Sequence, residues 1–88
     1  MDIEGIKNAI VKNVYHIDSK KNVAMHKHDK NDEIFYCMAG KGYGVLEDKE
    51  VELTVGKIFI VPAGLMHSLR TDSDLVVASF ILPLLEGQ

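Results

Sequence analysis

Short apolar stretches, some alternating with polar residues at a period of two and some apolar throughout, run along this chain. Turn residues cut them roughly every 8–12 positions, the rhythm of short strands in a sandwich or barrel. From Asn13 to Asp18, β-branched and aromatic residues predict a strand, stopped by Ser19-Lys20-Lys21-Asn22. Val23 to His28 predicts the next, with Ala24, His26 and His28 on one face and Val23, Met25 and Lys27 on the other. After the polar turn Asp29 to Asp32, Glu33 to Met38 is apolar on both faces except at Glu33, the pattern of a strand covered on both sides. Gly40, Gly42 and Gly44 then permit a tight reversal or a bulge. Tyr43 to Glu47 and Glu50 to Val55 predict a hairpin across Asp48-Lys49, and Val51, Leu53 and Val55 alternate with Glu50, Glu52 and Thr54. Ile58 to Val61, Met66 to Thr71 and Leu75 to Leu82 complete about eight short strands, and the fold class is all-β. Ahead of them, Ile3, Ile6 and Ile10 share a helical face that Asp2 is placed to cap. Gly5 weakens that helix by ~1 kcal/mol, which leaves a short helix and an extended arm both open.

Composition narrows the picture. With 88 residues there is room for one domain, residues 1–88. It divides into an N-terminal arm (1–19), a central region (20–71) and a C-terminal strand (75–85). A domain this small buries only roughly 60–65% of its unfolded surface, so contacts between copies would help it. Apolar residues make up 47% of the chain, too many for a disordered segment. The net charge is −3 and the lysines are scattered, which argues against a nucleic-acid partner. The N-terminus lacks the apolar core of a signal peptide, and the apolar run from Leu75 to Leu85 is too short for the ~20 residues of a membrane helix. A single cysteine, Cys37, suits a reducing compartment, so a cytoplasmic location with no membrane partner is expected. Three strands, Ile34 to Met38, Ile58 to Val61 and Leu75 to Leu82, are apolar on both sides, whereas a small barrel has one interior. This predicts a homodimer joined through a sheet face, with the arm Ile3 to Val14 lying across the partner or folding back on its own barrel.

The candidate chemistry lies between His26 and His67. His26 and His28 are two apart and point to one side of a strand, Glu33 follows the polar turn, and Gly40 ends the apolar run. Gly56 opens a second block in which Pro62 and Gly64 allow the chain to reverse sharply before His67. His-x-His alone describes many exposed or core histidines. Three imidazoles with one carboxylate are a ligand set for a divalent transition metal.

These residues resemble the two motifs of the cupin superfamily. The first, G-x5-H-x-H-x3-4-E-x6-G, is matched by His26, His28, Glu33 and Gly40; the second, G-x5-P-x-G-x2-H-x3-N, by Gly56, Pro62, Gly64 and His67. Lys20 stands where the first motif opens with glycine, and Thr71 where the second closes with asparagine. The resemblance implies a double-stranded β-helix, a jelly-roll barrel, and a metal held by His26, His28, Glu33 and His67. Iron, manganese, nickel, zinc and copper all suit that ligand set.

Strand geometry supports the same four residues. His26 and His28 lie ~7 Å apart along a strand, while Cys37 lies ~13 Å beyond Glu33 and reads as a small buried hydrophobe. Phe35, Leu65 and Leu69 are the candidate pocket lining, with plain core packing as the alternative. His16 stands outside both motifs, and Tyr15, Tyr36 and Tyr43 qualify as acid or base by residue type alone. The resemblance leaves two readings. One is a metalloenzyme of dioxygenase or isomerase type acting on a small oxygen-rich organic compound. The other is a non-catalytic module that binds or senses a small molecule through its metal.

Overall fold

The computed structural model describes residues 2–83. Its elements are a helix α1 (Ile3–Ala9) and strands β1 (Val11–Asp18), β2 (Asn31–Leu46), β3 (Glu50–Thr54), β4 (Ile58–Val61), β5 (His67–Arg70) and β6 (Asp74–Pro83). Sixteen-residue β2 belongs to both layers of the molecule. Its first half pairs with β6 on one side and β4 on the other, giving a sheet in the order β1, β6, β2, β4. Its second half pairs with β3 and β5 to make the facing sheet. All these pairings are antiparallel.

The bend that carries β2 from one sheet to the other lies where its register against β6 slips, between Cys37 and Ala39. Gly40 follows with φ +73°, and a Cβ there would run into the Asp74 carbonyl. The glycines therefore bend one strand, and do not reverse the chain between two. This corrects the expected strand count: the described residues hold six strands, since Glu33–Met38 and Tyr43–Glu47 are parts of β2.

Val23 to His28 is a second correction. That segment runs beside β5 and makes a single bridge, His26 to His67, so it is not a strand. Of the two forms open for the start of the arm, the short helix is the one that forms, capped by Asp2 Oδ1 accepting from the Gly5 amide at 3.1 Å, and it buries none of its own residues. The rest of the arm is β1, paired with β6 of the same chain over eight positions. Of the expected C-terminal strand 75–85, residues 84 and 85 lie outside the described residues.

Between the two sheets lies the core of Ile17, Phe35, Cys37, Leu53, Phe59, Val61, Leu69, Leu75 and Val77. It follows from the pleat: the odd-numbered positions 33, 35 and 37 of β2 and 75, 77 and 79 of β6 all face inward and are buried. Cys37 is fully buried there, and burial pushes its thiol up from the ordinary value. Glu33 and Ser79 are polar members of this apolar face.

Candidate metal centre

Each side chain of the site is placed by its own piece of backbone. β2 turns Glu33 inward beside Ser79, whose hydroxyl donates to Oε2 at 2.5 Å. β5 buries His67 completely. His26 is tied to it by two backbone bonds, its amide donating to the His67 carbonyl at 2.9 Å and the His67 amide returning to the His26 carbonyl at 2.8 Å. The reversal at Pro62-Ala63-Gly64 is pinned to the first block: the Gly64 amide donates to the His28 carbonyl and the Ala63 amide to Asp32 Oδ1, both at 2.8 Å. Gly64 has φ +85°, as the sharp turn requires.

Four side chains converge as a result. His26, His28, Glu33 and His67 each offer a donor atom, and those atoms lie within 4.8 Å of one another. Nδ1 of His26 contacts the Ala24 carbonyl at 2.8 Å, and Nδ1 of His67 the Leu65 carbonyl at 2.9 Å. A carbonyl oxygen only accepts, so both Nδ1 atoms carry the proton and a neutral ring presents Nε2 as a lone pair. Glu33 Oε1 lies 3.2 Å from Nε2 of His67 and 3.1 Å from Nε2 of His28. Acceptors brought this close in a buried place need a positive centre between them. A proton satisfies one such pair, whereas one cation satisfies all four donors. The residues present therefore fit a metal ion.

A cavity of about 190 Å³ opens beside the cluster. Phe35 and Leu69 are among the residues that line it, and the Phe35 ring lies 6.0 Å from that of His67. Leu65 is not among them. It sits in the turn before β5, where strand alternation does not govern direction, and it is 38% exposed; what it contributes is its carbonyl. Tyr15, Val23, Ser68 and Ile81 complete the lining. Ser79 is a site residue that the sequence reading missed; the signal available for it was a polar residue in step with Leu75 and Val77 on β6. His16 is exposed and bonded to Asp74, and Thr71 donates to the Lys41 carbonyl, so neither joins the cluster. A larger depression of about 320 Å³ near Tyr43 and Thr71 lies away from the four donors, and the Thr71 hydroxyl there is already bonded.

A family model for the cupin domain matches residues 13–82. The chain belongs to the cupin family. Quercetin 2,3-dioxygenase from Bacillus subtilis is 38% identical to this cupin over 48 residues, 54% of this chain and 14% of that one. Acireductone dioxygenase 4 from Arabidopsis thaliana is 32% identical over 59 residues, 61% of this chain and 32% of that one. The cupin thus spans a third or less of both proteins. Among solved structures, a predicted oxalate decarboxylase from Thermotoga maritima superimposes with a TM-score of 0.81 at 24% identity, covering 96% of this chain and 76% of that one. That likeness establishes the fold, a double-stranded β-helix, as the motif resemblance implied.

Proposed function

We propose that this cupin holds one divalent transition metal through His26, His28, Glu33 and His67, and acts as a small metalloenzyme of dioxygenase or isomerase type. The observation that carries the reading is the convergence of two imidazoles, those of His28 and His67, on one oxygen of the buried Glu33 carboxylate, with a donor atom of His26 within 4.8 Å of the others. Two relatives named as dioxygenases support the reaction class. The ion, when bound, supplies Lewis-acid or redox chemistry, and iron, manganese, nickel, zinc and copper all suit the donors.

The chain's own residues do the rest. Carbonyls of Ala24 and Leu65 hold two imidazoles in one tautomer and orientation, and Ser79 fixes the carboxylate. Phe35, Leu69, Ile81 and Val23 make the neighbouring wall apolar and keep bulk water from the bound compound. The cavity is below the ~300–1,000 Å³ of pockets for drug-sized ligands, which favours a small substrate carrying oxygens to meet the ion. Outside the four donors, Tyr15 and Ser68 are the lining groups able to hold a proton.

That scarcity of proton-transfer groups favours a second reading, a binding or sensing module with a bound metal and no turnover. The two separate on one experiment. The protein is loaded with each metal in turn, and oxygen uptake and product formation are followed with small vicinal diols, enediols and dicarbonyls. Turnover that disappears in His67→Ala supports the enzyme, whereas saturable binding without turnover supports the module. No helix among the described residues is long and apolar enough to cross a membrane. A cytoplasmic setting belongs to the proposal, supported by the lone buried cysteine.

A further inference from the structure

The cavity beside the four donors changes character from one end to the other. At its deep end Glu33 and His67 are buried, and Ser68, which follows His67 on β5, is 6% exposed. Val23, Phe35, Leu69 and Ile81 make its sides apolar. Tyr15 is 41% exposed, more than any other residue of the lining. Its phenol stands at the rim.

Pleat and topology put it there. Tyr15 and Ile17 are two apart on β1 and face the same way, and Ile17 is buried in the core. Among the described strands β1 pairs with β6 alone, so it is an edge of its sheet. Val23 lines the same cavity from an edge of the facing sheet, where its amide donates to the Leu69 carbonyl at 3.4 Å. The sheets part between these two edges, and an inward side chain on β1 meets open space there instead of packed core. The other two tyrosines lack this access. Tyr36 projects outward from β2, between the buried Phe35 and Cys37, and Tyr43 lies under the Arg70 guanidinium, 4.2 Å from its ring centroid.

The register fixes what Tyr15 can touch. Glu33 pairs with Ile81 of β6 and Tyr15 with Val77, so Tyr15 stands two strands over from Glu33 and four residues along. That is too far for it to ligate an ion held by the four donors. A molecule that chelates at the donors with one end and lies along the apolar sides presents its other end to the phenol, which both donates and accepts hydrogen bonds. We propose that Tyr15 is a specificity-determining residue of this site, donating to an oxygen acceptor at the far end of the bound compound. The assignment rests on the metal reading above and adds a substrate class to it: a head that chelates through two oxygens, an apolar body, and a carboxylate or carbonyl tail.

The test uses the zinc-loaded protein, since zinc has no redox chemistry to consume a ligand. It is titrated calorimetrically with benzohydroxamate, a two-oxygen chelator on an apolar ring, and with 4-carboxybenzohydroxamate, which adds a carboxylate at the opposite end of the ring. The wild type should bind the carboxylated ligand about 10-fold more tightly, because hydrogen bonds to charged groups are the stronger ones. Tyr15→Phe should erase that preference while competing for zinc against a chelator as the wild type does. Tyr36→Phe, on the outward face of the same sheet, should keep it. A zinc-loaded wild type without the preference overturns the assignment, as does a Tyr15→Phe protein that retains it or that loses affinity for both ligands alike. Zinc content measured before each titration separates that failure from the other one: a wild type that takes up no zinc overturns the metal reading together with the assignment.

Discussion

Replacing Ser79 with alanine removes a fully buried hydroxyl that donates to Oε2 of Glu33, itself 3% exposed. The cavity change is a single oxygen atom, so the dominant effect is electrostatic. A hydrogen bond to a charged group is worth ~1.5–3 kcal/mol, and here water has no access to replace it. In a domain of this size ~1 kcal/mol corresponds to about 4–8 °C in Tm, so the metal-free variant should melt about 6–24 °C lower. Loss of a partner that orients a metal-ligating carboxylate weakens metal affinity by ~10–100-fold. Thermal melts without metal and competition titrations against a chelator of known affinity measure the two effects separately. A double-mutant cycle with Glu33→Gln isolates the cause, because the Ser79→Ala penalty should shrink once the carboxylate is gone. A folded Ser79→Ala with unchanged Tm and unchanged metal affinity would refute the reasoning.

Gly44→Ala should destabilise by ~1–3 kcal/mol, read from the urea midpoint, because the new Cβ would lie 2.5 Å from the Phe59 ring. Phe59 stacks on Phe35 at 6.0 Å, and Phe35 lies against His67, so metal retention should fall in the same variant. On the opposite sheet, Arg70 donates to both carboxylate oxygens of Glu50, and that bonding holds Glu50 below the usual carboxylate range. A depressed folded-state value gives a contribution that is full above the ordinary glutamate pKa of ~4.3 and is lost as pH falls through the folded value. Arg70→Gln should therefore flatten part of the acid-side loss of stability, measured as urea midpoints from about pH 6 to about pH 3. Protons compete with a metal for imidazole, whose ordinary pKa is ~6.5, so retention in equilibrium dialysis should decline as pH falls through about 6 to 5. Flat retention across that range would speak against histidine ligation.

Several strands were legible because burial on one face writes a period of two into the chain: β3, β4 and β6 lie where Leu53, Phe59 and Val77 alternate with less buried neighbours, whereas β5 was placed by its turn-forming flanks. The site donors were legible because His-x-His, Glu33 and His67 stand at fixed spacings from turn-forming Gly and Pro residues. What the pattern missed depends on partners distant in sequence. Val23 to His28 alternates like a strand, but meets β5 at one bridge and has no continuous ladder. Whether Gly40 reverses the chain or bends it is decided by Asp74, thirty-four residues on, whose carbonyl occupies the space of a Cβ. Leu65 lies in a turn, where alternation says nothing about direction. Ser79 looked like an interruption of an apolar run until β6 and β2 brought it to Glu33.

The central claim is that three histidines and one glutamate hold one ion. Crystals of protein reconstituted at neutral pH with a single first-row metal, with anomalous differences collected on either side of that metal's absorption edge, test it most directly. The account predicts one peak at ~2.0–2.3 Å from Nε2 of His26, His28 and His67 and from a carboxylate oxygen of Glu33. A peak elsewhere on the chain, or a reconstituted protein with no peak among these four side chains, would contradict it.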